Sequence, residues 1–400
     1  MSNSKPLLRI LCVLVLVAPS GPALAQGAFE DLEVHGFATQ GFVKTSANSF
    51  FGDSEDGSFD FTELGVNATL EPTPRVRLSG QLLSRNAGEM YSGSPVVDFA
   101  LADISLRSTE KDSLAFVAGR IKNPLGLFNE TRDVAFTRPG VFLPQVVYFD
   151  RVRNIVMSSD GAGLRLERFG DQANMNLYVA AGQPQTDENI EYVYLGRKYS
   201  GDFDPRGLSY IGSLLIETPD NGVRGSFSIA STSLDFDRKR NDPIGDGRLD
   251  FVYWIASLQY TTEDWTITAE YMREPIDWDG FEGSIFNDKS ADAEGYYLQA
   301  AWRAREDIEF VLRYEEGFAD RADRSGKDIE QETWGLVPSH TQYSKILTLG
   351  ARWDPTPNIM LRAEYQRHNG TFVLSSRENP DPSELDPDWD MFSFSASYRF

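Results

Sequence analysis

Arginine and lysine are the residues through which this chain can act. Arg75, Arg77 and Arg85 share odd parity in one alternating segment, and Arg107, Arg120, Lys122 and Arg165 follow on the next three. Between Lys122 and Arg165 lies a stretch with Arg132, Arg138, Arg151 and Arg153 beside Glu130, Asp133 and Asp150. The chemistry this implies is non-covalent. A basic wall facing a mixed-sign segment sets up a transverse field that orients polar solutes and favours anions. Covalent chemistry has little support. A phospholipase needs a serine and histidine held together, and the three histidines, His35, His340 and His368, have no spacing that ties them to a nucleophile. The acidic runs at 53–56 and 381–388 attract hard cations but lack EF-hand spacing. No catalytic residue, metal or cofactor is expected.

Such a wall needs strands to carry it. The last ten residues show how: Phe392, Phe394, Ala396, Tyr398 and Phe400 fall on one face, and Ser393, Ser395, Ser397 and Arg399 on the other, because side chains alternate sides of a strand. Similar segments recur near 32–44, 58–70, 74–86, 97–108, 113–122, 160–169, 172–182, 206–217, 222–236, 249–261, 265–274, 293–303, 307–316, 341–353, 358–368 and 389–400. That makes about 16 strands and an all-β chain, with no long helical period. Terse turns rich in Pro, Asp and Gly alternate with long connections, as in a transmembrane antiparallel β-barrel. In hydrocarbon an unpaired backbone N–H or C=O costs several kcal/mol, so the first strand must pair with the last. Trp265, Tyr271, Tyr296, Trp302, Tyr314, Trp353, Tyr365 and Tyr398 face outward as interfacial belts.

The start of the chain sets the compartment. Lys5 and Arg9 precede the apolar run 10–18, and small residues end at Ala25, the pattern of a cleaved secretory signal over 1–25. The barrel then occupies 26–400. Removing Lys5 and Arg9 takes the formal charge of −22 to −24, which excludes nucleic acid as a partner. Most long connections are acidic and read as solvated loops on the cell surface. The segment 123–159 differs, with four arginines against three acids and many Phe, Leu and Val residues. An apolar stretch of this length needs packing, and folding into the lumen as a constriction loop provides it.

The exported barrel, the long third loop and the terminal Tyr398 and Phe400 resemble the Gram-negative general porin family. Gly119 to Gly126, Phe142 to Pro144 and Tyr148 to Arg151 are more distantly similar to the phosphate-selective and DcaP-like groups, although no N-terminal coiled coil precedes the barrel. The resemblance implies a 16-stranded outer-membrane barrel, a homotrimer, and a pore narrowed by loop three. It also implies passive diffusion of small hydrophilic solutes, contact with lipid and lipopolysaccharide, and recognition of Phe400 by the barrel-assembly machinery. Ala115, Gly119 and Gly36 are expected as small outward residues at the subunit contact. The alternatives are an adhesive or structural barrel with a closed lumen, or a barrel enzyme such as a phospholipase.

Overall fold

The computed structural model describes residues 32–400; the signal segment assigned to 1–25 lies outside the described residues. In chain order the strands are β1 (Leu32–Thr45), β2 (Ser58–Thr73), β3 (Val76–Ala87), β4 (Tyr91–Ser108), β5 (Asp112–Lys122), β6 (Ser158–Arg168), β7 (Asn174–Pro184), β8 (Asp202–Pro205), β9 (Ser209–Glu217), β10 (Val223–Asp237), β11 (Gly247–Thr261), β12 (Trp265–Gly280), β13 (Lys289–Arg305), β14 (Ile308–Phe318), β15 (Tyr343–Thr356), β16 (Ile359–Asn369) and β17 (Asp388–Arg399). Every pairing is antiparallel. β8 and β9 both pair with β10, at Leu234–Asp237 and Arg224–Ser231. They are two pieces of one stave, so the sheet has sixteen staves, and the single strand expected over 206–217 is broken around Arg206–Leu208.

β1 pairs with β2 on one side and β17 on the other, from Phe37↔Arg399 to Thr45↔Met391. The ring is therefore closed. Its seam reaches the chain end: Phe400 N–H donates to the Gly36 carbonyl at 3.0 Å, and Gly36 N–H to the Phe400 carbonyl at 3.2 Å. Side chains follow the alternation that forms the strands. On β17, Ser393 and Ser395 are wholly buried while Phe392 and Phe394 stand out at 48% and 40% exposure. Aromatics crowd the outer face of β12 to β17, where the Trp265, Trp302 and Phe310 rings stack in succession at 5.9 and 6.0 Å.

The alternation of short and long connections has one exception. β3 and β4 extend past the expected turn and leave only Gly88–Met90 between them; register shifts at Gln81/Leu82 and Ser84/Asn86 accommodate the longer hairpin. The acidic loops also depart from solvated behaviour. The connection after β7 carries the helix α2 (Asn189–Tyr194; the short α1, Arg153–Met157, precedes β6), and buries Ile190, Tyr194 and Leu195. The connection after β16 buries Phe372, Val373 and Leu374. Most of their acids stay at the surface while a few apolar residues, and Glu191 with them, pack inward.

Candidate functional site

The segment between β5 and β6 is built from short turns, with 3-10 turns at Asn129–Thr131, Ala135–Thr137 and Asp150–Val152 leading into α1. No long element lies inside it, so its backbone groups need partners from elsewhere, and inward side chains of many staves supply them. Ser228 of β10 accepts from Gly126 N–H at 2.8 Å. Glu270 of β12 accepts from Leu127 N–H at 2.9 Å and Tyr148 hydroxyl at 2.7 Å. Tyr253 of β11 donates to the Val147 carbonyl. On β14, Glu315 accepts from Val146 N–H at 3.3 Å and Arg313 donates to the Phe142 carbonyl at 3.2 Å. Arg362 of β16 donates to the carbonyls of Ala135 and Gly140, and Arg85 of β3 to the Asp150 carboxylate at 2.8 Å.

Glu270 is the densest node. Its carboxylate takes four hydrogen bonds, the other two from Ser257 of β11 at 2.5 Å and Tyr297 of β13 at 2.7 Å. Apolar packing runs alongside. Leu143, Val146, Val147, Tyr148 and Phe149 join one cluster with inward Phe251, Ile255, Met272 and Ile346, while Phe142 packs with Phe50, Phe51 and Phe61 at ring distances of 5.2 to 5.5 Å.

The segment leaves an open cavity of about 220 Å³ against the wall formed by β4 to β10. Lys122, Glu130, Arg165, Glu167 and Arg224 give it charge, and Leu101, Val117, Ile121, Leu127 and Tyr178 give it apolar surface. Arg165 pairs with Asp103, and Arg224 with Glu217 at 3.1 Å. Lys122 bridges Asp98 and Asp133, each at 2.7 Å.

The residues singled out from sequence divide into several places. Lys122, Glu130 and Arg165 line the open cavity. Arg85, Arg132, Arg138, Asp150 and Arg153 form a separate buried cluster with Glu63, and Asp133 joins the two groups through Lys122 and Arg153. Arg151 sits between the rings of Phe149 and Phe372, at 5.0 and 4.5 Å from their centroids. Arg75, Arg77 and Arg107 are exposed at the short-turn end of the barrel, where Arg77 pairs with Glu71 at 2.7 Å. Arg120 belongs to the outer face, where it forms an exposed ion pair with Asp160 at 2.7 Å. The expected parity of β5 is inverted: Ala115 and Val117 are buried inside, and Leu101, the partner of Gly119, lines the cavity. Apolar residues are not confined to the lipid side where the inner wall meets an apolar segment.

Sequence reasoning overlooked Glu63, Asp98, Arg224, Glu270, Arg313, Glu315, Arg362 and Glu364. On β14 and β16 the signal was present, since Arg313/Glu315 and Arg362/Glu364 recur with period 2 on the serine side of the alternation. The histidines are apart from one another: His35 is exposed, His340 is half-buried beside Thr371, and His368 is buried and stacked on Trp389 at 3.7 Å.

A closed ring of sixteen staves, with polar side chains inward and a long segment bonded to strands around it, is a porin-like barrel. No protein-family model and no curated protein sequence matches the chain. Solved structures with the same fold include the outer-membrane channel DcaP of Acinetobacter baumannii (11% identity over 92% of this chain and 97% of that one, TM-score 0.57). Others are OmpF of Salmonella typhi in complex with daunomycin (14%, 92% and 97%, 0.55) and an anion-selective porin from Comamonas acidovorans (11%, 92% and 99%, 0.53).

Proposed function

We propose that the protein is an outer-membrane channel through which small hydrophilic solutes diffuse passively. The observation that carries this reading is the charged cavity of about 220 Å³ between the segment 123–159 and the wall of β4 to β10. In this reading the segment constricts the lumen and the cavity is the remaining part of the path. Lys122, Arg165 and Arg224 line it with Glu130 and Glu167, and although each of these cations is also paired with an acid behind it, the three lining cations support a modest anion preference despite the acidic outer loops. The chain performs no catalysis in this reading.

The outer surface supports a homotrimer. Gly80, Ala102, Ala118, Ala162 and Ala181 put small residues on the outer face of β3 to β7 between exposed Leu82, Phe116, Leu164 and Val179, and cross-strand pairing sets Ala118 beside both Ala102 and Ala162, and Ala162 beside Ala181. Aromatic belts cover the remaining staves, where lipid and lipopolysaccharide are the neighbours. Tyr398 and Phe400, exposed at 43% and 56%, are available to the barrel-assembly machinery.

Swelling of liposomes containing the purified protein tests the channel directly: small sugars should enter, and reversal potentials in a salt gradient should lie on the anion side. A second reading is a closed structural or adhesive barrel, favoured by the interlocked outer loops. Asn48 and Asp386 exchange two hydrogen bonds of 2.9 Å, as do Ser49 and Asn379. Liposomes that exclude small sugars and show no conductance would establish that reading and remove the first.

A further inference from the structure

The barrel encloses a second cavity, of about 10 Å³, room for one particle the size of a water. Its polar lining is Glu63, Arg85, Arg132, Arg138, Asp150 and Arg153, and it shares no lining residue with the open cavity. All six are less than a tenth exposed. Arg85 pairs with Glu63 at 3.0 Å and Asp150 at 2.8 Å, Arg132 with Asp150 at 3.4 Å, and Arg138 with Glu63 at 3.6 Å. Arg153 pairs with Asp133, which also holds Lys122, and Lys122 holds Asp98.

These ion pairs form two groups around the cavity: Arg85, Arg132 and Arg138 with Glu63 and Asp150, three cations against two carboxylates, and Arg153 and Lys122 with Asp133 and Asp98, which balance. One buried positive charge has no counterpart. The adjoining Arg362 and Glu364 of β16 add one charge of each sign and do not correct the excess. Burying an uncompensated charge is costly. Two lining donors that no acid faces point to where compensation is missing: Arg85 Nη1 and Arg138 Nε are buried without a hydrogen-bond partner, whereas Arg153 Nη2, also without one, lies within the ion pair to Asp133. Glu63 Oε2 also lacks a hydrogen bond, but it lies within the ion pair to Arg138. A neutral water would satisfy donors and leave the charge.

We propose that this cavity is a binding site for one small monovalent anion, of the halide class, held as a structural ligand. The anion closes the charge balance and fastens the segment through Arg132, Arg138, Asp150 and Arg153 to Glu63 of β2 and Arg85 of β3. It is not a permeating ion, and the proposal stands whether or not the barrel conducts.

The test compares the full-length detergent-solubilised protein in sodium chloride and in sodium gluconate at equal ionic strength and pH, since gluconate is too large to enter. The thermal midpoint should fall by a few degrees in gluconate, the shift expected when a ligand present at roughly 100 times its Kd is withdrawn. Chloride or bromide should restore it along a saturable curve. Arg138→Gln removes the excess charge, so its midpoint should be the same in both salts. Crystals of the unaltered protein grown in sodium bromide give a second measurement, independent of how that variant folds: an anomalous peak should lie beside Arg138 Nε and Arg85 Nη1. Equal midpoints for the unaltered protein in the two salts, or a water without anomalous signal at that position, would overturn the proposal.

Discussion

Replacing Glu270 by alanine tests whether the segment 123–159 is held by the strand side chains that it meets. The carboxylate accepts from Leu127 N–H, Tyr148, Ser257 and Tyr297, at 2.5 to 2.9 Å, and is buried. A buried donor deprived of its acceptor costs about 1–3 kcal/mol. Four such donors set a ceiling of roughly 4–12 kcal/mol, lowered wherever water enters or a hydroxyl turns to a new partner. Even the lower end is enough to free the local attachment of the segment. The ring is not directly affected, because the backbone pairing of Glu270 with Ser257 and Tyr297 stays intact. Glu270→Ala is therefore expected to form a barrel with normal strand content and heat-modifiable migration, while single-channel recordings show larger and noisier conductance. Glu270→Gln keeps one acceptor oxygen but adds an amide donor among four others, so it should behave in between. Unchanged conductance, noise and thermal midpoint in Glu270→Ala would refute the idea that this carboxylate moors the segment.

The cavity charges lead to a separable expectation: Arg165→Gln and Arg224→Gln should each move the reversal potential toward cations, while Arg75→Gln and Arg77→Gln, at the exposed strand ends, should leave it in place. Deleting Phe400 removes the seam bonds to Gly36 and should lower the yield of folded barrel on gels several-fold, with unit conductance unchanged in the barrels that form. Burial raises the pKa of Glu378, against the N–H groups of Gly52, Phe51 and Glu89 that favour its ionised form. A carboxyl that binds its proton more tightly when folded contributes most at acid pH and loses that contribution as pH rises from the unfolded value, about 4.3, through the folded one. Glu378→Gln should then flatten that part of the midpoint-versus-pH curve, which thermal scans from pH 4 to 8 would show.

The barrel was legible because its signals are local. Strict alternation to Phe400 and turns such as Asp220-Asn221-Gly222, where Asn221 adopts φ +55°, mark the staves one by one, and the hydrogen-bonding constraint closes the ring. The interior was less legible. Arg120 was assigned inward on the premise that apolar residues face lipid, a premise that fails on β5, where Val117 and Ile121 pack with Tyr178 and Ala180 inside. The loops 183–205 and 369–388 resemble one another in charge, and three apolar residues in each decide where they pack. Glu63 and Glu270 gain their roles only from residues far away in sequence, with Tyr148 reaching Glu270 across 122 positions.

The bonds from the segment 123–159 to β14 and β16 have a consequence for assembly. Arg362 reaches Ala135 across 227 positions, and Arg85 reaches Asp150 across 65, so the segment is attached both to staves that precede it and to some of the last made. Its carbonyls at Ala135 and Gly140 stay without these partners until β16 arrives. Contacts of such long sequence separation tie the seating of the segment to the closing of the last staves, so the two become coupled events in the life of one molecule.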